Sequence, residues 1–226
     1  MSKKEIRFLE ITELRAEENE RGAWIEGYPI VFNQETVIGG YCREVIMQEA
    51  VTEELLRDVA LMIGHDFGMI PLAHSRRNNE NSTMRLTIDE HGVKMRALLD
   101  IENNPRAKEA YSAIVRGDIS GMSFAFIVEE ERWEDLDSEI PLRRITKMAE
   151  IFEVSLVPFP QYKGTSVQAA AEGDALESVK ASLESAKQKL AEERVAQEAA
   201  EAEHERRMEA LERLENLIKE VKHDEV

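Results

Sequence analysis

One break in composition limits what this chain can fold into. All 13 aromatic residues and all six prolines lie at or before Tyr162. From Glu172 to Val226 there are 9 Lys+Arg and 16 Asp+Glu, with Gly173 the single breaker. That is an alphabet of helix formers without the bulky residues a globular core needs. The chain therefore divides into a folded part over 1–163, a linker over 164–175 and a helical tail over 176–226. The tail has no means of building a catalytic pocket, so any chemistry belongs to the first part.

Alternating steps of three and four residues along the tail visit Leu176, Val179, Leu183, Ala186, Leu190, Glu193, Gln197, Ala200, His204, Arg207, Leu211, Leu214, Ile218 and Val221. The visited positions are apolar at both ends, but Glu193, Gln197, His204 and Arg207 interrupt them in the middle. This is a coiled-coil seam at its two ends, and it predicts an oligomerising or partner-binding helix. The competing reading is a single solvated, charged helix.

Charge and cysteine content exclude several classes of function. A net charge of -17 and a pI near 4.8 argue against binding nucleic acid or an anionic membrane, which both require excess Lys and Arg. A single cysteine, Cys42, leaves no internal disulfide framework and no multi-cysteine zinc site. The opening MSKKEIRFLE has no apolar run, so no signal peptide is expected, and no window reaches the length of a membrane span. The expectation is a soluble, acidic, intracellular protein.

The folded part reads mainly as strand. Ile6, Phe8 and Ile11 lie in a β-prone run, and a turn at Glu18–Gly22 leads to a second run, Ala23–Phe32. Val59–Ile63 is continuously apolar, as a buried strand is. Thr83–Asp89 and Val93–Leu99 flank Glu90-His91-Gly92 as a hairpin. Ser123–Val128 and Glu153–Val157 complete the strands. A helix is expected over Gln48–Asp58, and another opens by cap and proline at Asn104-Pro105 and ends at Gly117. The fold class is α+β, mainly β, and many short strands with few helices predict a closed or nearly closed barrel with helices outside it.

Three places can carry chemistry. Ser123 stands two residues after Gly121 at the start of an alternating strand, where a hydroxyl can be presented at a sheet end. Gly-x-Ser is a weak signal, and the strand that follows it argues against an α/β-hydrolase elbow. His65, in Gly64-His65-Asp66, caps the buried strand Val59–Ile63, which is a rigid mount for a general base. Glu153 opens an otherwise apolar strand, where a carboxylate needs a partner, and a catalytic histidine needs such a group to orient it. His74 lies close to His65 in sequence and is the alternative third residue. His65, Asp66 and His74 do not supply a full zinc-ligand set, so neither a metal nor a cofactor is expected.

Taken together, Gly27–Phe32, Gly64-His65-Asp66, Leu86–Gly92, Gly117–Phe126 and Phe152–Pro158, in this order, resemble the prohead maturation serine proteases of tailed bacteriophages over roughly residues 5–167. That family resembles the herpesvirus assemblins, with a β-barrel, surrounding helices and a histidine preceding the serine. The resemblance implies a serine endopeptidase with Ser123 as nucleophile and His65 as base. Assemblins complete their triad with a second histidine on a later strand, and none lies between His91 and His204 here. Glu153, in the matching block after the serine, would take the third role. It further implies scaffolding and capsid proteins, and the chain itself, as substrates inside an immature shell in the host cytoplasm. The tail would then be a packaging or scaffold-interacting segment, removable by self-cleavage, and self-association is expected. Two departures from the family pattern are Ala125, where glycine is usual, and Ala73, in Pro71-Leu72-Ala73. The rival reading is an acidic helical scaffold or assembly protein with an inactive or secondary protease domain.

Overall fold

The structure, a computed structural model, describes residues 4–10, 14–158, 168–169 and 174–224. In chain order it contains β1 (Lys4–Glu10), β2 (Arg15–Asn19), β3 (Gly22–Val31), β4 (Thr36–Ile38), β5 (Cys42–Ile46), β6 (Ala60–Ile63), β7 (Ala73–His74), β8 (Met84–Ile88) and β9 (Gly92–Leu99). Then follow α1 (Pro105–Arg116), β10 (Gly121–Glu134), β11 (Leu142–Val157), β12 (Gln168–Ala169) and α2 (Asp174–Asp224). Ile11 and most of the expected linker lie outside the described residues.

The strands form two sheets. One has the order β1-β10-β11-β5-β4-β12, with β6 also on β11 and β7 on β6; the other has the order β2-β3-β9-β8. The pairing among the described residues does not close into the barrel expected from the sequence. A single apolar cluster joins Ile25, Ile30, Met84, Leu86 and Met95 of the second sheet to Phe124, Phe126, Val154 and Leu156 of the first. β11 organises the first sheet by using one edge twice. Leu142–Ile145 pair in parallel with β5, and Glu153–Leu156 pair in parallel with β6. Its other edge carries β10 in antiparallel register.

Local sequence accounts for several elements. The Asn104 side chain accepts hydrogen bonds from the amides of Arg106 and Ala107, and Pro105 starts α1 without needing a donor. Ala107, Ala110 and Ile114 form the buried face of α1. In the β8–β9 hairpin, Asp89 Oδ1 accepts from His91 N and Gly92 N, and the Tyr28 hydroxyl donates to Asp89 Oδ2 at 2.8 Å. The helix expected over Gln48–Asp58 is instead two 3-10 turns, Gln48–Ala50 and Glu53–Leu56. They are separated by Val51 and Thr52 in extended backbone, and both are β-branched residues that favour that conformation.

A buried ion cluster fixes β1 to the sheet. Arg7 binds Glu5 and Glu44, while Arg143 binds Glu5, Glu44 and Glu131. The side chains of Arg7, Arg143, Glu5 and Glu44 are each 3% exposed or less, so every charge here depends on its partners.

The first compact unit runs to Ala181 and so includes the start of α2, where Val179 and Leu176 pack with Ile38, Cys42 and Trp133. The second unit begins at Ser182 and holds the rest of α2, along which Val195, Met208 and Leu211 are exposed. Among the described residues, no helix is long and apolar enough to cross a membrane.

Candidate active site

β10 and β11 place the candidate site by register. Ser123 pairs with Ser155 and Ala125 with Glu153, so these four side chains share one face of the sheet. On the far edge of β11, Ser155 pairs with Met62 and Glu153 with Ala60 of β6. The amide of Gly64 continues that ladder by donating to Leu156 O at 3.0 Å. The chain then turns sharply, with φ +59° at Gly64 and +61° at His65. Glycine adopts the left-handed region without penalty, whereas a histidine there is held against a preference of about 1–2 kcal/mol.

This turn folds His65 back over β11. Its Nδ1 lies 2.7 Å from Glu153 Oε1. The Ser155 hydroxyl donates to Glu153 Oε2 at 2.5 Å, and Ser155 Oγ accepts the backbone N–H of His65 at 3.1 Å. A backbone N–H can only donate, so the Ser155 proton must go to the carboxylate. Both Glu153 oxygens then act as acceptors, Nδ1 carries the ring proton, and Nε2 is left as the basic nitrogen. Glu153 is fully buried and the His65 side chain 10% exposed, so the pair lies out of bulk water.

Ser123 is on the same face but is not bonded to His65. It is fully buried, and its hydroxyl donates to the backbone carbonyl of Arg7 on β1 at 2.7 Å. The strands carrying Ser123 and His65 are also not neighbours, because β11 lies between them. His74, the alternative third residue, lies beyond β6 at the level of Glu153 but bonds to neither Glu153 nor His65. It pairs with Ala60, and its Nε2 is 3.6 Å from Asp58. Asp66 accepts from Gly68 N. Among the described residues, no group of three or more His, Cys, Asp or Glu side chains is placed to hold a metal.

An open groove of about 560 Å³ runs past this end of the sheet, a size typical of binding clefts. Ile63 at the end of β6, Pro158 after β11 and Ile119 before β10 line one side. Met69, Ala110 and Ala113 supply further apolar surface. Asp66, Arg106 and Asp118 are among its charged residues.

The model of the caudovirus prohead serine proteases matches residues 10–180. The chain belongs to the caudovirus prohead serine protease family. The matched span takes in both sheets, from the last residue of β1 onward, and ends within the first turns of α2, as the compact unit does. Neither the comparison with curated proteins nor that with solved structures gives a match. Membership in a prohead serine protease family indicates a serine protease.

Ser155 is the residue of this cluster that the sequence did not single out. A serine in the apolar run Val154-Ser155-Leu156-Val157 reads as a small strand filler. The signal available was its place two residues after Glu153, on the same face.

Proposed function

We propose that the protein is the maturation endopeptidase of an assembling phage head, cleaving scaffolding and capsid proteins, and its own chain, inside the immature shell in the host cytoplasm. Ser123 is the nucleophile, His65 the general base and Glu153 the group that orients His65. The observation that carries this reading is the 2.7 Å contact between His65 Nδ1 and buried Glu153, with Ser123 one strand over on the same face.

In this reading the Ser123 hydroxyl attacks the scissile carbonyl carbon while its proton passes to His65 Nε2. The imidazolium, stabilised by Glu153 at Nδ1, then returns that proton to the departing amine. Water repeats the cycle on the acyl-enzyme and releases the acid. The hydrogen bond from Ser123 to Arg7 O belongs to a resting state. β1 and β11 flank β10 on opposite edges, so a change of the Ser123 rotamer swings Oγ from the β1 side toward His65. The groove past Ile63 and Ile119 takes an extended stretch of substrate.

The same Ser123–Arg7 bond, with the long acidic α2, also favours a second reading: an assembly protein whose protease domain is inactive. The two readings separate when wild type and Ser123→Ala are each co-expressed with the head proteins of the same phage. Mass spectrometry should show shortened capsid and scaffold chains with wild type alone. Identical products from both would refute the assignment.

A further inference from the structure

The roles proposed for His65, Glu153 and Ser123 leave Ser155 unexplained, although it is fully buried and uses its hydroxyl in both directions. Its hydrogen bonds form a closed ring. His65 N–H donates to Ser155 Oγ, Ser155 O–H donates to Glu153 Oε2, and Glu153 Oε1 receives the proton of His65 Nδ1. The ring begins and ends on the same residue, so it ties the backbone of His65 to its imidazole. The backbone held in this way is the left-handed one, at φ +61°.

We infer that Ser155 is a positioning residue of the protease. Its hydroxyl holds the His65 backbone in the left-handed turn and fixes the rotamer of Glu153, so that the ring presents Nε2 toward β10. The inference rests on the reading of His65 as base and Ser123 as nucleophile. A purely structural serine in a strand would need only one partner, and either bond alone would satisfy it. The double use is explained when two separate parts of His65 must be held at once. Removing the hydroxyl leaves the His65 amide without its acceptor and one carboxylate oxygen without its donor. The proton-transfer geometry then loosens, whereas binding surfaces formed by other residues remain.

The test uses full-length protein and a fluorophosphonate probe, which phosphonylates an activated serine by displacing fluoride. Labelling rates are measured against probe concentration for wild type, Ser123→Ala, Ser155→Ala, Ser155→Cys and Ser155→Thr. The expected result is no labelling of Ser123→Ala and a maximal rate for Ser155→Ala reduced roughly ten- to a hundredfold, as for other lost orienting bonds. The half-saturating probe concentration should stay unchanged. Ser155→Thr, which keeps the hydroxyl, should recover most of the rate. Ser155→Cys, whose thiol is a weaker donor, should fall between threonine and alanine, so a poorly folded alanine variant does not remove the test. The downfield proton resonance of His65 Nδ1–H should broaden or move in Ser155→Ala and persist in Ser155→Thr. Wild-type rates in both the alanine and cysteine variants, with Ser123→Ala unlabelled, would overturn the positioning role and leave the catalytic reading standing. Labelling of Ser123→Ala, or none of wild type, would instead overturn the catalytic reading, and a label found on Ser155 would make that residue the nucleophile.

Discussion

At the scale of single residues, the arrangement around Glu153 makes its two oxygens unequal in role. Oε1 faces the His65 imidazole, and Oε2 faces Ser155. Glu153→Gln keeps the volume but places an amide donor where one of the two protons now points, which favours the wrong imidazole tautomer. Steady-state cleavage of a peptide substrate should show kcat reduced by roughly 10²–10⁴-fold with little change in KM. A KM effect alone would assign Glu153 to substrate binding instead. Ser123→Ala should abolish turnover while circular dichroism and the unfolding midpoint stay close to wild type, and Ser120→Ala, at an exposed position, should behave as wild type. Cys42 permits a separate check. Burial, with Glu44 close by, raises its thiol to about 12, so the folded protein holds no appreciable thiolate at pH 8. Iodoacetamide should leave native protein unmodified and alkylate it readily in denaturant. Rapid native alkylation would mean that the start of α2 does not cover this cysteine.

At the scale of elements, close backbone approach is visible at Gly92. A Cβ there would lie 2.0 Å from the Ile30 carbonyl oxygen, inside the β3–β9 pairing, and neither partner is a flexible side chain. Gly92→Ala should therefore destabilise the protein by about 2–4 kcal/mol, measured by urea unfolding. A shift within experimental error would show that β3 and β9 separate easily. The hairpin around this glycine was legible in the sequence, as were α1 and the apolar β6, because each is specified by neighbouring residues: a turn, a cap with proline, and an uninterrupted apolar run. The length of β10 and β11 was not. Glu129–Glu134 is charged and partly exposed, and register shifts at Ala125/Phe126 and through Glu130 break the alternation that identifies a strand. The 3-10 turns replaced an expected helix because Val51 and Thr52 prefer extended backbone. Of the candidate site, His65 and Glu153 stood out as polar groups at the ends of apolar strands. Ser155 did not, because its significance lies in bonds to a residue 90 positions away. The ion cluster around Arg7 was hidden for the same reason, since Arg143 and Glu5 are separated by 138 positions.

At the scale of the whole molecule, the protease fold does not stop where the aromatic residues do. Leu176 and Val179 cover Ile38 and Cys42, so a chain ending at Ala170 exposes that patch, while one ending at Ala181 keeps it covered. The shorter chain should be less stable by about 2–4 kcal/mol, from the burial lost by two aliphatic side chains, and the longer one should match full-length protein in thermal unfolding. Equal midpoints for all three would detach the start of α2 from the fold. Acid should act through the buried cluster. Burial would raise Glu5, yet its hydrogen bond to Arg143 and the charges of Arg7 and Arg143 hold it below its usual 4.5. A carboxylate lowered on folding contributes stability that is complete above its unfolded value and lost as pH falls through the folded one. The unfolding midpoint should thus be level near neutrality and decline below about pH 4.5; a flat profile down to pH 2.5 would show that the cluster contributes nothing. Sheet order carries a further consequence for the newborn polypeptide. β10 is held between β1 from the extreme N-terminal region and β11, which ends at Val157, and the histidine comes from between them. None of these strands can complete the others until nearly the whole folded part has left the ribosome, so on the roles proposed for Ser123, His65 and Glu153 hydrolytic competence arrives late and all at once. On those roles, unfinished chains would not cut their neighbours during translation.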